Sequence, residues 1–88
     1  MSRILQFELE AWRQYLDWQS DDKRTLRKIN SLIKSALRTP TCGEGSPEEL
    51  RGDLAGHWSR RINHEHRLVY SFTDDVVLVL RCKGHYQD

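Results

Sequence analysis

Hydrophobic residues recur at helical spacing in the first half of the chain and at strand spacing in the second half. Residues 8–19 combine apolar and acidic side chains in the pattern of an amphipathic helix, after a short apolar opening at residues 4–7 that is typical of a strand. A second apolar stripe, with three- and four-residue spacing and basic side chains between, covers residues 26–37. The polar residues 20–22 offer N-cap oxygens between these segments, and Pro40 ends the second one. The pattern predicts a helical hairpin.

After a turn-rich segment at residues 41–47, the hydrophobic period changes to two. Strands are predicted at residues 57–62, 66–72 and 76–83, and the short polar turns between them indicate an antiparallel meander. A helix pair can bury its apolar stripe only against one face of such a sheet. The sequence thus predicts a single α+β domain over residues 1–88, with an N-terminal helical hairpin packed on one face of a small antiparallel sheet.

Strand alternation divides the side chains of the predicted sheet between the helix-facing side and the opposite side. The side chains expected to face the helices are Trp58, Ile62, Leu68, Tyr70, Phe72, Leu78 and Leu80. The opposite side then gathers several cations and a histidine, namely Arg61, Arg67, Arg81, Lys83 and His85. A basic surface with an imidazole is what an RNA-cleaving site requires, since cations bind phosphates and histidine titrates near neutral pH.

Composition indicates a small soluble protein in which charge is unevenly distributed. Of the 88 residues, 38% are hydrophobic and 31% are charged. We expect a cytoplasmic protein, because the sequence has neither an apolar stretch of membrane-spanning length nor a leader-like start. The net charge is only +1, yet residues 23–88 carry twelve Lys and Arg side chains against eight acidic ones, which favours local phosphate binding. Cys42 and Cys82 have no spacing motif and are expected to be free thiols.

Metal-free cleavage of RNA needs a base for the 2′-hydroxyl, an acid for the departing 5′-oxygen and cations around the phosphoryl oxygens. His85 suits the acid, and the planar guanidinium groups of Arg61 and Arg67 suit the phosphate. The base must be a carboxylate or a second histidine, and Glu48 lies where the loop enters the predicted sheet. These residues are candidates for one site, and no cofactor is expected.

Each candidate also has a purely structural interpretation. A glutamate after a proline is typical of a solvated turn, and a histidine close to a chain end is typical of a frayed tail. Arg60 and Arg61 would equally suit the protection of a strand edge. A zinc site built on His64 and His66 lacks the fixed spacing of zinc motifs and falls at a turn, so we expect no metal.

Short runs along the whole chain strongly resemble the YoeB (Txe) toxins of the RelE/ParE superfamily. In chain order, these runs are Tyr15-Leu16-Asp17-Trp18-Gln19, Asp22-Lys23-Arg24, Lys28-Ile29-Asn30, Arg38-Thr39-Pro40, Gly56-His57-Trp58-Ser59-Arg60-Arg61-Ile62, Glu65-His66-Arg67-Leu68-Val69-Tyr70 and His85-Tyr86. Their order and spacing are intact, which makes the set specific although no single run is. The resemblance implies a microbial-ribonuclease-like fold, with a helix pair on an antiparallel sheet.

The resemblance also implies an activity and the residues that perform it. Family members are mRNA interferases that cleave at the ribosomal A site, are held inactive by a YefM-type antitoxin and are expected to form dimers. By this resemblance, Glu48 is the general base, His85 the general acid and Arg67 the phosphate-stabilising residue. Arg61 is implied as a second phosphate contact, and Tyr86 as an aromatic that orients the RNA or the histidine.

Arg51 and Glu65 are two further candidate residues of the site, and two other functions are alternatives to RNA cleavage. Arg51 stands where a lysine is common in the family, so a planar cation replaces a point charge in phosphate binding. Glu65 is a weaker candidate that would orient Arg67. A gyrase-poisoning toxin of the ParE branch is disfavoured, because the glutamate, arginine and histidine together resemble the RNA-cleaving branch. A non-catalytic module that binds the ribosome or an antitoxin is the third alternative.

Overall fold

Two helices and five strands are present in residues 3–85, the part of the chain that the computed structural model describes. In chain order, the elements are β1 Ile4–Phe7, α1 Leu9–Asp21, α2 Lys23–Arg38, β2 Glu48–Glu49, a 3-10 turn at Gly52–Leu54, β3 Trp58–Arg61, β4 Arg67–Phe72 and β5 Val76–Arg81. The helical hairpin, the opening strand and the three-strand meander confirm the sequence predictions. The short β2 was not predicted, because two consecutive glutamates carry no alternating pattern.

Asp22 separates the two helices and is the N-cap of α2. Its carboxylate accepts hydrogen bonds from the backbone N–H groups of Arg24 (3.1 Å) and Thr25 (3.2 Å), and from the Thr25 hydroxyl (2.7 Å). These bonds, led by that of the Thr25 hydroxyl, hold the pKa of Asp22 below its ordinary value. α2 ends at the predicted place, immediately before Thr39 and Pro40.

The sheet has the strand order β1-β5-β4-β3-β2. The strands from β2 to β5 pair antiparallel, whereas β1 pairs in parallel with β5, with Ile4 opposite Val76 and Phe7 opposite Val79. The sheet is therefore mostly antiparallel, as predicted, and the parallel pair at this edge is a feature that the sequence did not predict. Parallel neighbours are joined by a long crossover connection, so no local turn signal marks a pairing between the two ends of the chain.

The helices bury their apolar stripe against one face of the sheet, here called the core face. The buried cluster consists of Ala11, Trp18, Ile29, Leu32, Ile33 and Ala36 from the helices, and of Ile62, Leu68, Tyr70, Val77, Val79 and Cys82 from the sheet and its flanks. Trp58 and Phe72 are partly exposed and pack against this cluster. The predicted core face of β3 and β4 is thereby confirmed.

The predicted assignment of the apolar β5 side chains to the two faces is wrong. Val77 (1% exposed) and Val79 (0% exposed) lie in the core, whereas Leu78 and Leu80, which were predicted there, are half-buried outside it. An uninterrupted apolar run contains no polar position that fixes its phase. Its pairing with β1 and β4 on both sides decides the phase instead.

A β-bulge in β5 reverses the alternation near the end of the strand. Tyr70 is opposite Val79, but the preceding residue of β4, Val69, is opposite Arg81, so that Leu80 is the extra residue. Arg81 therefore shares the face of Val69, away from the helices. The prediction for Arg81 is confirmed, but the bulge is the reason.

The predicted position of Lys83 is wrong. Its ammonium nitrogen lies 5.3 Å from the centroid of the Trp18 ring and 3.8 Å from a carboxylate oxygen of Asp17, and both of these residues belong to α1. Because β5 ends at Arg81, strand alternation no longer governs where Lys83 points. This cation lies on the helix side.

Neither helix within residues 3–85 combines the length and apolarity needed to cross a bilayer. Cys42 is exposed and Cys82 is buried, and both are free thiols, as predicted. Burial raises the pKa of the Cys82 thiol to about 12, so this group stays protonated in the folded protein near neutral pH.

Candidate active site on the open face of the sheet

Strand register places charged side chains in two rows across the face of the sheet opposite the helices, here called the open face. The first row contains, from β2 to β5, Glu48, Ser59, Val69 and Arg81. Side chains of directly opposed residues share a face, so Glu48 and Arg81 stand at the two sides of one surface. Ser59 and Val69 between them are buried.

The second row is the directly opposed pair of Arg61 and Arg67. Two residues along the strand separate it from the first row, a distance of roughly 7 Å. Two guanidinium groups opposite each other repel, and none of the ion pairs within residues 3–85 includes either of them. The pair is an electropositive spot suited to a phosphate.

The β3–β4 turn fixes Arg67 more firmly than Arg61. The side-chain oxygen of Asn63 accepts the backbone N–H groups of Glu65 and His66 at 2.8 Å each, which closes the turn. The backbone carbonyl of Asn63 accepts a hydrogen bond from Nη1 of Arg67 at 3.0 Å. Glu65 instead lies 3.7 Å from Nε2 of His66, so a backbone carbonyl, not Glu65, orients Arg67. Arg61 is exposed.

The chain after β5 continues beside β4 and brings His85 next to the arginine pair. The Gly84 carbonyl accepts the backbone N–H of Arg67 at 3.0 Å, and Nη1 of Arg81 donates to the His85 carbonyl at 3.1 Å. Neighbouring strands lie about 4.8 Å apart, so three strand spacings, roughly 14 Å, separate β2 with Glu48 from the segment beside β4 that contains His85. His85 is exposed at this position.

A buried arginine holds the loop that leads to Glu48. Arg60 is 0% exposed, and its guanidinium donates to three loop carbonyls, those of Thr39, Cys42 and Glu44, at distances of 2.7 to 2.9 Å. The alternative that Arg60 protects a strand edge is therefore wrong, because its side chain is buried. Its position between Trp58 and Ile62 in the same alternation was the available signal for the core face.

Of the two remaining candidate residues, Arg51 lies within the described part of the chain and Tyr86 lies outside it. Arg51 is exposed between β2 and the 3-10 turn, and no hydrogen bond or ion pair between side chains in residues 3–85 ties it to the two rows. Tyr86 lies outside the described residues, so its role stays a prediction. The side chains that the open face does bring together are those of Glu48, Arg61, Arg67 and Arg81, with His85 beside them.

In the described part of the chain, no three His, Cys, Asp or Glu side chains are grouped in a way that could hold a metal ion. His66, one of the residues considered for zinc, uses Nδ1 to accept the backbone N–H of Gly84 at 2.7 Å. The open face thus offers a carboxylate and guanidinium groups, and the segment that contains His85 lies beside them. A carboxylate and an imidazole on either side of paired cations can bind a phosphodiester and move protons at both of its ester oxygens.

Comparison with known proteins agrees with this architecture. The family profile described as the YoeB-like toxin of bacterial type II toxin-antitoxin systems matches residues 7–86. Toxin YoeB of Escherichia coli strain K12 is 56% identical over 77 residues, which cover 88% of this chain and 92% of that protein. The match therefore extends over almost the full length of both chains.

Solved structures give the same result. The YoeB/ParE toxin from Agrobacterium tumefaciens has a TM-score of 0.90 at 47% identity, covering 94% of this chain and 99% of that chain. The YoeB dimer from Staphylococcus aureus has a TM-score of 0.90 at 42% identity, covering 98% of this chain and 100% of that chain, and a YoeB-YefM complex from the same organism has a TM-score of 0.88 at 41% identity. With family profile, sequence identity and fold in agreement, this chain belongs to the YoeB-like toxins of bacterial type II toxin-antitoxin systems.

Proposed function

We propose that this toxin is an endoribonuclease that cleaves mRNA at the ribosomal A site without a metal, and so inhibits translation. The observation that carries the proposal is the composition of the open face. Glu48 on β2 and His85 beyond β5 flank the opposed guanidinium groups of Arg61 and Arg67. Metal-free strand cleavage of RNA needs a general base, cations around the phosphate and a general acid, and these side chains can supply all three.

In the proposed reaction, Glu48 accepts the proton of the 2′-hydroxyl as its oxygen attacks the adjacent phosphorus. The bond between phosphorus and the 5′-oxygen breaks, and protonated His85 gives its proton to that oxygen. The products are a 2′,3′-cyclic phosphate and a 5′-hydroxyl. Arg61 and Arg67 stabilise the negative charge that develops on the phosphoryl oxygens.

Two further residues are proposed to bind the RNA around the reacting phosphate. Arg51 is exposed beyond β2, where its planar cation would hold a neighbouring phosphate. Tyr86 directly follows His85 in the sequence, and its ring would stack on a base or restrict the imidazole.

The proposed partners follow from the family. YoeB from Staphylococcus aureus forms a complex with YefM and has been solved as a dimer. We extend both properties to this chain, with a YefM-type antitoxin as the inhibitor and a homodimer as the free form. Ribosomes and mRNA place the proposed activity in the cytoplasm.

The experiment compares programmed ribosomes with naked mRNA as substrates for the purified toxin. Primer extension maps the cleavage position, and phosphatase and ligation chemistry identify the new ends. Glu48→Gln and His85→Gln should each lower the cleavage rate by about 10²- to 10⁴-fold, the usual contribution of a general base or acid. Glu49→Gln is the matched control, because Glu49 is exposed on the same strand but is paired with Trp58, a residue of the core face.

The outcomes separate the proposed activity from its alternatives. Cleavage on ribosomes with the expected ends, lost in both variants and kept in the control, supports the proposal. Full activity of either variant would show that the assigned proton transfers are wrong. Blocked translation with uncut mRNA would identify a binding module, and inhibition of gyrase supercoiling would identify a gyrase poison.

A further inference from the structure

The backbone just before His85 is tied to α1. The backbone N–H of Cys82 donates to the side-chain oxygen of Gln14 at 2.8 Å, and the Cys82 carbonyl accepts from Nε1 of Trp18 at 2.9 Å. Both backbone polar groups of this buried residue are thus paired with side chains of one helix. These two hydrogen bonds fix the position of the backbone at Cys82, where the chain leaves the sheet.

Gly84 is the second fixed point, one residue before the proposed general acid. Its carbonyl accepts the backbone N–H of Arg67 at 3.0 Å, and its own N–H donates to Nδ1 of His66 at 2.7 Å. Gly84 has φ +83°, a backbone conformation that L side chains rarely adopt. The His66 bond therefore holds a turn whose next residue is His85.

The bond determines which nitrogen of the neutral His66 ring carries the proton. A backbone N–H can only donate, so Nδ1 must present a lone pair, which in the neutral ring leaves the proton on Nε2. The ring is largely enclosed, with 14% of the side chain exposed, and it contacts the Trp18 ring edge-to-face with centroids 4.9 Å apart. An enclosed ring whose Nδ1 is already engaged is poorly suited to meet RNA itself.

We propose that His66 is a positioning residue for the cleavage reaction, acting through the Gly84 amide to hold His85 beside the Arg61–Arg67 pair. The inference rests on the proposed function, in which His85 is the general acid. General acid catalysis depends on the acid lying within hydrogen-bond reach of the leaving oxygen. A displacement of about 1 Å costs on the order of 10²-fold in rate.

Three variants of His66 test the role of the acceptor. In His66→Asn, the side-chain oxygen takes nearly the place of Nδ1, whereas His66→Gln carries its amide one bond further out, and His66→Leu has no acceptor at all. We expect kcat for ribosome-bound mRNA to fall about 10²-fold in His66→Leu and in His66→Gln and to recover partly in His66→Asn. KM should stay within about twofold, because the two phosphate-binding arginines are unchanged.

Two measurements show whether the variants act through the tail. Amide hydrogen exchange at Gly84, followed by NMR, should be slow in the wild type and in His66→Asn and fast in His66→Leu and His66→Gln. Thermal unfolding midpoints report any general loss of stability. If His66→Leu does not fold, the Asn and Gln variants still test the role of the acceptor. Both carry an amide, and they differ only in how far its oxygen lies from the backbone.

The failure of this inference differs from the failure of the proposed function. A wild-type toxin that leaves mRNA uncut overturns the proposed function and this inference with it. A wild type that cleaves, together with His66→Gln and His66→Asn variants of equal kcat, overturns the positioning role alone. Recovery of both slow exchange at Gly84 and kcat in His66→Asn, with no recovery in His66→Gln, supports it.

Discussion

Arg60 and Tyr70 share a buried hydrogen bond of 2.9 Å from the guanidinium Nε to the phenolic oxygen. The Tyr70 hydroxyl in turn donates to the carbonyl of Pro40 at 2.6 Å, so the bond connects β3 and β4 with the loop after α2. All five hydrogen bonds of the Arg60 guanidinium go to carbonyl or hydroxyl oxygens. Oriented dipoles, rather than a hydrogen-bonded carboxylate, solvate this buried charge, and the loop that leads to Glu48 supplies most of them.

Replacement of Arg60 by methionine should lower the free energy of unfolding by at least about 3 kcal/mol, because three loop carbonyls lose their donor at about 1–3 kcal/mol each. The substitution keeps an unbranched side chain but leaves the loop carbonyls without their donor. Urea unfolding followed by tryptophan fluorescence measures the change. The control is Arg61→Met at the neighbouring exposed position, where a change within about 0.5 kcal/mol is expected. Equal losses at both positions would contradict the role of Arg60.

Tyr70→Phe should lower the free energy of unfolding by about 1–3 kcal/mol. The variant keeps the ring in the core but leaves the Pro40 carbonyl without a donor and Nε of Arg60 without an acceptor. Tyr15→Phe is the matched control, because its hydroxyl bonds the side-chain oxygen of Asn30 at an exposed site. Equal losses in the free energy of unfolding for the two substitutions would show that burial of the Tyr70 hydroxyl does not contribute to stability.

The ion pair of Glu44 and Lys28 should make stability depend on pH in the acid range. Hydrogen bonds from Lys28 and then Ser31 lower the pKa of Glu44 below its ordinary value of 4.5. A lowered pKa in the folded state contributes stability that is present above pH 4.5 and is lost as the pH falls through the folded value. Because the pair is partly exposed, we expect less than about 1 kcal/mol. The urea midpoint should change less between pH 3 and pH 6 in Glu44→Gln than in the wild type. An equal change with pH in both proteins would contradict this contribution of Glu44.

The two thiols should differ in reactivity. Iodoacetamide at pH 8 should modify exposed Cys42 in the folded protein, whereas Cys82 should react only after unfolding, since burial raises its pKa to about 12 and hides the sulfur. A raised thiol pKa contributes stability that is present below pH 9 and is lost as the pH rises towards the folded value. Mass spectrometry of wild type and Cys42→Ser measures the labels. Rapid labelling of folded Cys42→Ser would contradict the buried position.

The sequence was sufficient for the core face of β3 and β4 but not for that of β5. In β4, Arg67 and Ser71 alternate with apolar residues, and this mixed pattern fixes the phase of the strand. The apolar run of β5 fits both phases, and the bulge at Leu80 depends on pairing with β4, which no local pattern encodes. β1 was predicted as a strand, but its pairing with β5 was not predicted, because no local pattern encodes which strands pair.

Alternation and resemblance pointed to residues that the structure brings to one face, but the contacts that hold this face could not be predicted. Alternation and resemblance pointed to Glu48, Arg61, Arg67 and His85. The support of this surface comes from hydrogen bonds between segments far apart in the chain, such as that from Gly84 to His66. Such bonds depend on distances that only the folded chain defines.

The two opposed arginines should contribute differently to catalysis under the proposed function. Nη1 of Arg67 is anchored by the carbonyl of Asn63, so the rest of its guanidinium is preorganised for the charge that develops in the transition state. Lysine cannot bond this carbonyl and a phosphoryl oxygen with the same planar geometry, so Arg67→Lys should lower kcat about 10²- to 10³-fold with little change in KM. Arg61 is exposed and free of such an anchor among the described contacts, so Arg61→Lys should mainly raise KM. Steady-state cleavage of ribosome-bound mRNA separates the two constants, and an Arg67→Lys variant with raised KM and unchanged kcat would show that the anchored guanidinium binds the ground state as strongly as the transition state.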